Sequence, residues 1–391
     1  MEEKLQSYLK VLLQKKGSDL HLTAGSRVYM RINGELEIFS KEKQSGKEIE
    51  AIARAILTPQ EYGRLIEEKE LDCSYVLDEN NRFRVNFFYQ IDGLSASMRL
   101  VPAEILSLDD LHHPEVIKEL ADLDRGLVLV TGASGSGKST TTAAILDRIN
   151  KSKKKHIITI EDPIEFVHED INCLVSQRAI GSSSRSYSTA LRAALREDID
   201  IIFIGEMRDL ETIEIALHAA NTGQLVFSTL HTLDAKETID RIIGMFPKEE
   251  QNRIRMMLSF VLEGVISQRL VEMFNGERTA AVEVMRKTKR VTELIADERD
   301  AEILEAIEDG RRIYGTQSFD QALLDLFNQD KISKKVVLEN ATNPADLKLE
   351  LEGIGGASDR GDSFEASEII DDFELKEDRE NKKEKKASKK Q

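Results

Sequence analysis

The chain has 391 residues, more than one hydrophobic core comfortably holds, so two folded domains are expected. Hydrophobic residues make up 40%, and 55 basic against 71 acidic side chains leave a formal net charge of −16. That balance excludes a general nucleic-acid binder, which needs a basic surface to neutralise phosphates. Cys73 and Cys173 stand far apart with no C-x-x-C pair, which excludes a disulfide framework and a cysteine-built zinc site. Both are expected as free thiols in cores. The first ten residues are charged where a signal peptide is apolar, and no run reaches the roughly 20 apolar residues of a membrane span. A soluble, cytoplasmic protein is expected, one that reaches any membrane through a partner.

Residues 1–16 carry Leu5, Leu9 and Leu12 at helical spacing and predict an amphipathic helix. Strands are expected over 19–23 and 28–32, and Asn33-Gly34 is a turn dipeptide that makes the second strand part of a hairpin. Helices follow over 47–57 and 59–69, then strands over 71–77, 82–89 and 94–100, parted by polar turns at 78–81 and 92–93. Together these make a small α+β domain over 1–102. Within it, the period of two places Arg82 and Arg84 on one strand face and Phe83, Val85 and Phe87 on the other. Arg99 lies on the neighbouring strand. Read alone, the three arginines fit either a solvated sheet face or a phosphate contact, to which guanidinium groups bring paired donors.

Residues 103–125 read as a linker that includes a helix over 114–121. From Gly126 strand and helix alternate, the pattern of a parallel α/β sheet, and this second domain is expected over 126–350. Its strand candidates are 127–130, 157–160, 201–204 and 225–228. The first leads into Gly132, Ala133, Ser134, Gly135, Ser136, Gly137, Lys138, Ser139 and Thr140, which fit G-x-x-x-x-G-K-[ST]. The glycines let backbone N–H groups turn inward around a phosphate, and the following helix presents its positive end. Lys138 reaches the β- and γ-phosphates, and the Ser139 hydroxyl can hold a Mg²⁺. ATP and Mg²⁺ are therefore the expected ligands. The next three strands end in polar groups, where α/β sheets place their ligand crevice. They supply Glu161 and Asp162 ahead of Pro163, then Glu206 after Gly205, then His231. A carboxylate at position 206 can bind the hydration shell of Mg²⁺ or polarise the attacking water. Amphipathic helices are expected over 210–220 and 249–270, the latter with Ile254, Leu258, Val261, Leu262 and Val265 on its apolar face, and further helices over 288–310 and 318–328. Residues 351–391 pass from a glycine-rich linker through an acidic stretch to KKEKKASKK and are expected to form a disordered, solvated tail.

Four of these segments, GASGSGKS, ITIEDPIEFVH, IIFIGEMRD and STLHT, resemble the secretion-ATPase superfamily of hexameric motors. Within it, GSDLHLTAG, TIDRIIGMFP and SFDQALLDL resemble the type IV pilus retraction ATPases, the PilT/PilU-type twitching motility group. The resemblance runs from about residue 3 to 350. It implies a PAS-like N-terminal domain and a RecA-like ATPase domain, six copies to a ring, with ATP between the two domains. It further implies that Lys138 and Ser139 serve phosphate and Mg²⁺, that Glu161 and Glu206 are the paired acids of the catalytic boxes, that His231 is the box histidine, and that Arg82, Arg84 and Arg99 reach the γ-phosphate. The expected partners are a homo-hexamer, an inner-membrane platform protein of the pilus and a paralogous retraction ATPase, with no nucleic acid. The chain departs from the family pattern in three places. Gln224 follows Gly223 where a second histidine is common, Ala133 stands where the phosphate loop often has proline, and 291–295 reads VTELI in place of the AIRNLIR segment. The expected activity is an ATP-driven motor for pilus retraction. Its alternatives are an accessory nucleotide-binding subunit working beside an active paralogue, and a pilus-extension or secretion ATPase, which usually adds a four-cysteine zinc element.

Overall fold

The computed structural model describes residues 1–78, 81–101 and 105–352. The centre of the turn at 78–81, the domain end at Pro102 and the tail from 353 onward lie outside the described residues. Contacts divide the described residues into two compact units, one within 1–270 and 279–318, the other within 271–278 and 319–352.

The first unit opens with α1 (Glu2–Gln14), β1 (Asp19–Leu22), β2 (Arg27–Ile32), β3 (Glu35–Lys43), α2 (Gly46–Ile56), α3 (Pro59–Glu68), β4 (Glu70–Asp78), β5 (Asn81–Gln90) and β6 (Gly93–Val101). The expected hairpin is β2–β3, and its turn at Asn33-Gly34 has φ of 49° and 85°, the left-handed pair that a two-residue hairpin loop needs. Both α2 and α3 start in capping boxes, Ser45 with Glu48 and Thr58 with Glu61. The six strands form one sheet in the order β3-β2-β1-β6-β5-β4. One face of it packs into a core with Leu5, Leu9 and Leu12 of α1, Ile49 and Ile52 of α2 and Leu65 of α3. Phe83, Val85 and Phe87 point into that core and are fully buried. The alternate residues, Arg82 and Arg84, therefore take the other face.

The chain continues through α4 (Glu115–Ala121), β7 (Gly126–Thr131), α5 (Lys138–Ser152), β8 (His156–Glu161), β9 (Leu174–Ala179), α6 (Tyr187–Ala194), β10 (Ile201–Ile204), α7 (Leu210–Thr222), β11 (Leu225–Leu230), α8 (Ala235–Gly244), α9 (Lys248–Val261), β12 (Leu262–Glu272), β13 (Arg278–Arg286), α10 (Lys289–Ala296), α11 (Ile303–Asp309) and α12 (Arg311–Tyr314). The strands make a seven-stranded sheet, β13-β12-β7-β11-β10-β8-β9, with parallel pairing from β12 through to β9. Both faces are covered, so β7, β10 and β11 are buried along their whole length. Leu127 and Leu129 face a core shared with α6 to α9, while Val128 and Val130 face the opposite core with Ile145 and Ile149 of α5. Val116, Ile117 and Leu120 of α4 belong to that second core, so the helix of the expected linker is packed against the sheet.

The helix expected over 249–270 is two elements. It ends at Val261, and β12 begins at Leu262 and pairs with β7 from Leu127 to Thr131. Apolar spacing at 254, 258, 261, 262 and 265 satisfies a helix, yet Leu262, Val265 and Ile266 are buried because a central strand needs apolar residues on both faces. Gly264 marks the change of element: a Cβ there would stand 2.7 Å from Leu120 Cδ1.

In the second unit, α13 (Phe319–Asn328), α14 (Lys334–Asn340) and α15 (Pro344–Leu351) pack around Phe319, Leu323, Val337 and Leu347. Asp320 accepts from the backbone N–H groups of Thr342 and Asn343 at 2.6 and 3.0 Å, pinning the turn before α15. Leu351, expected at the start of the tail, is the buried last residue of α15.

Candidate nucleotide site

The loops that leave the C-terminal ends of β7, β8, β10 and β11 carry the chemistry, and these strands are neighbours in the sheet in the order β7-β11-β10-β8. Residues far apart in the chain therefore converge along one edge of the sheet.

The phosphate loop runs from β7 into α5. Gly132 has φ +140°, and a Cβ there would meet the carbonyl oxygen of Gln268 at 2.4 Å and Ser136 Oγ at 2.5 Å, so only glycine fits. The Lys138 ammonium donates to the carbonyls of Gly132 and Ala133 at 2.7 and 2.9 Å. Burial holds its pKa below the usual lysine value, and the nearby carboxylates of Glu206 and Glu165 pull the other way. Ser136 is buried in the loop and its hydroxyl has no hydrogen-bond partner among the described residues. Ser139 lies half-buried in the first turn of α5. An ammonium, an unpaired buried hydroxyl and a helix N-terminus all offer donors to one space, and that set fits a polyphosphate. The Ser139 hydroxyl with a nearby carboxylate is a hard-oxygen set that fits Mg²⁺, which takes few protein ligands beside phosphate and water. Among the described residues, no cluster of three histidines, cysteines or acids forms a metal cage of its own.

The two acids differ in surroundings. Glu161 ends β8 and is 8% exposed. It accepts from Thr159 Oγ1 at 2.6 Å, Gln177 Nε2 at 3.3 Å and the backbone N–H of Glu165 at 3.4 Å. Burial outweighs these bonds and pushes its carboxyl up to about 7. Glu206 follows Gly205 beyond β10 and is engaged from two sides, by Arg208 Nε at 2.7 Å and His231 Nε2 at 3.4 Å. Thr229 Oγ1 donates to the carbonyl of Gly205 at 2.6 Å, which fastens the Glu206 turn to β11. Glu206, Arg208, His231, Thr232, Glu237 and Arg241 line a cavity of about 300 Å³.

Arg31, Arg84 and Arg99 of the six-stranded sheet sit in one cross-strand row with Asp19. Arg84 is opposite Arg99, Arg99 opposite Asp19, and Asp19 opposite Arg31. Arg99 Nε donates to Asp19 at 2.7 Å, and Arg84 Nε lies 3.9 Å from Asp72. Asp19 is 3% exposed and is held in its ionised form by Ser18 and Arg99, which overcome its burial. Arg82 sits one row further along, opposite Val101. The structure thus joins Glu206 to His231 directly and Lys138 to its own loop, while the arginine contacts above are with acids of their own sheet.

Arg208, Gln177 and Thr229 escape sequence reasoning as site residues. Arg208 stands two residues beyond Glu206 in the segment GEMRD, which is the one signal that could have raised it. Gln177 and Thr229 sit on strands with nothing to distinguish them from packing residues.

A phosphate loop between a parallel strand and a helix, with acids at the ends of the adjoining strands, defines a P-loop nucleoside triphosphatase. The family model described as Type II/IV secretion system protein matches residues 1–343, and the chain belongs to that family. It is 45% identical over 327 residues to the type IV pilus retraction ATPase PilT of Pseudomonas aeruginosa, covering 84% of this chain and 95% of that one. It is 35% identical over 359 residues to the type IV pilus ATPase PilU of the same organism, covering 90% and 92%. A crystal structure of the pilus retraction motor PilT with bound ADP superposes with a TM-score of 0.82 at 39% identity, over 88% of this chain and 98% of that one. The chain is therefore a nucleotide-binding ATPase with the mixed α/β fold and parallel sheet that its sequence implies.

Proposed function

We propose that the chain is the subunit of a homo-hexameric, ATP-hydrolysing motor that powers type IV pilus retraction, and with it twitching motility. The observation that carries this reading is the 45% identity to a pilus retraction ATPase, spread over 84% of the chain. Residues 132–140 wrap the phosphates with backbone N–H groups, and Lys138 exchanges its loop carbonyls for phosphate oxygens. Ser139 and, through water, Glu206 would hold Mg²⁺, which supplies charge neutralisation to the β- and γ-phosphates. Glu206 orients and polarises the attacking water, with His231 steering its carboxylate. Glu161, kept partly protonated by burial, takes up the proton as charge develops. Arg82, Arg84 and Arg99 bring positive charge from the N-terminal sheet and make the position of that sheet answer to the γ-phosphate. The sheet is then the lever on which each ATP acts, and the ring passes the motion to a platform protein of the inner membrane. The motor is cytoplasmic and membrane-peripheral in this reading, and no described helix is long and apolar enough to cross a membrane.

A second reading is an accessory subunit that works beside an active paralogue. Its support is the 35% identity to PilU over 90% of the chain, with Gln224 where a second histidine is common. Steady-state ATP hydrolysis by the purified chain, with its mass in solution and with Lys138→Ala as control, separates the two. Turnover by a hexamer, lost in the control, supports the motor. Nucleotide binding without turnover supports the accessory subunit. The retraction assignment is tested by restoring twitching to a strain that lacks its retraction ATPase, and failure there with intact turnover would refute it.

A further inference from the structure

Three side chains outside the residues considered so far meet at the first turn of α5. Thr141 is 1% exposed, and its Oγ1 lies 2.8 Å from His113 Nε2 and accepts from Gln268 Nε2 at 2.8 Å. His113 belongs to the segment between β6 and α4, and Gln268 to β12, which flanks β7. The next residue gives the contrast. Thr142 Oγ1 donates to the carbonyl of Lys138 one turn back at 2.8 Å, the usual outlet for a helical threonine. The Thr141 hydroxyl is committed instead to two other elements. A hydroxyl has one proton and two lone pairs. With the Gln268 amide on one lone pair, the hydroxyl still has a proton and a second lone pair for His113 Nε2, and the imidazole tautomer sets which of the two donates. Burial pushes His113 down to about 4, so the imidazole is neutral at neutral pH. The neighbouring His112 acts in the same direction. Gln268 also braces the phosphate loop. Its carbonyl oxygen closes on Gly132, and its Oε1 is buried with no partner among the described residues.

We propose that His113, Thr141 and Gln268 form a positioning relay that ties the segment ahead of α4 to the phosphate loop. Thr141 lies three residues after Lys138, so both sit on one side of α5. A shift of the segment that carries His113 pulls on Thr141 and moves the first turn of α5, with Lys138 and Ser139 in it. A shift that breaks the His113 bond takes from the buried Thr141 hydroxyl one of its two partners and from the half-buried imidazole its contact, which resists the motion. The relay thereby makes the phosphate grip depend on where the segment leading in from the six-stranded sheet stands. None of the three residues need touch nucleotide; they act through Lys138, Ser139 and Gly132. The relay rests on the ATPase reading of the loop.

The test uses the full-length chain with Thr141→Val, Thr141→Ser, His113→Ala, His113→Gln and the double variant Thr141→Val/His113→Ala. The readouts are kcat and KM for ATP, Kd for a fluorescent ADP analogue and the urea midpoint. Coupled hydrogen-bond partners interact strongly enough that Thr141→Val is expected to lower kcat roughly 10-fold. Kd changes less than about 3-fold, because the backbone of the loop still holds the phosphates. Thr141→Ser restores kcat, since it keeps the hydroxyl. His113→Ala falls about as far as Thr141→Val, and the double variant falls no further than either single one. Should Thr141→Val not fold, recovery in His113→Gln of what His113→Ala loses supports the relay, because the glutamine amide returns both an acceptor oxygen and a donor nitrogen at similar reach. Wild-type kcat and KM in Thr141→Val, or losses that multiply in the double variant, overturn it. A wild-type chain that binds nucleotide without turnover overturns the motor reading. The relay is then judged on the urea midpoints, where losses that simply add in the double variant overturn it.

Discussion

Replacing Glu161 by glutamine separates what burial costs this carboxyl from what it contributes. Its pKa is about 7 in the fold against an ordinary 4.5, with burial as the first cause. A carboxyl raised in this way binds its proton more tightly folded than unfolded. Its stabilising share is fully present below pH 4.5 and is lost as pH rises through 7. Between pH 5.5 and 8.5 the linkage relation for these two values gives a loss of about 2 kcal/mol, at ~1.4 kcal/mol per pKa unit. Glutamine does not titrate, so it escapes the loss. It keeps an oxygen for Thr159 and Gln177 but turns an NH₂ toward the Glu165 N–H, a contact that is only 3.4 Å in the wild type and costs about 1 kcal/mol. Wild type and Glu161→Gln are therefore expected to show urea stabilities that diverge by about 2 kcal/mol over that pH range, the variant gaining toward alkaline pH. Protein concentration is held fixed so that assembly does not contribute. ATP turnover in the variant falls even as stability at pH 8.5 rises. Parallel stability profiles would refute the burial of an ionisable group at this position.

Glu206→Gln is expected to bind a fluorescent ADP analogue like wild type and to lose about 100-fold in kcat, and full turnover would remove Glu206 from the mechanism. Gly132→Ala places a methyl against the Gln268 carbonyl at a disfavoured φ, and should cost about 2 kcal/mol in urea stability together with nucleotide affinity. Asp300→Ala strips the buried Arg255 guanidinium of its 2.8 Å carboxylate contacts, and an expected loss of about 3 kcal/mol is read from the urea midpoint. Cys73, pushed up to about 12 by burial, should resist iodoacetamide at pH 8 in the folded chain and react on unfolding.

The phosphate loop and the strands that precede Glu161, Glu206 and His231 are legible because each is a short apolar run closed by polar residues, and a parallel sheet writes just that pattern. The arginine face is legible for the same reason in a sheet of period two, since Phe83, Val85 and Phe87 must point one way. Over 249–270 the pattern is ambiguous. A central strand buries both faces and an adjacent helix buries one, so consecutive apolar residues serve either, and only Gly264 betrays the break. The partners of the acids are hidden for another reason. Gln177, Thr159 and Arg208 act by the distance at which the fold sets them, and an amide or hydroxyl on a strand carries no mark of the carboxylate it faces. His113 is hidden still more deeply, because its role depends on Thr141 and on Gln268, which is 155 positions away along the chain.

The strand that leads into the phosphate loop has no neighbour in the sheet that precedes it in the chain. Leu127 pairs with Val226 on one side and with Leu262 on the other. During synthesis β7 leaves the ribosome as a wholly apolar segment and waits for about a hundred residues before its first pairing strand exists. At 5–20 residues per second that interval is on the order of ten seconds. Through that time Leu127 to Val130 need shelter from other chains, and the loop behind them has no frame on which to grip a phosphate. Cellular ATP stabilises complete subunits by mass action and leaves chains truncated before β12 to chaperones and proteases.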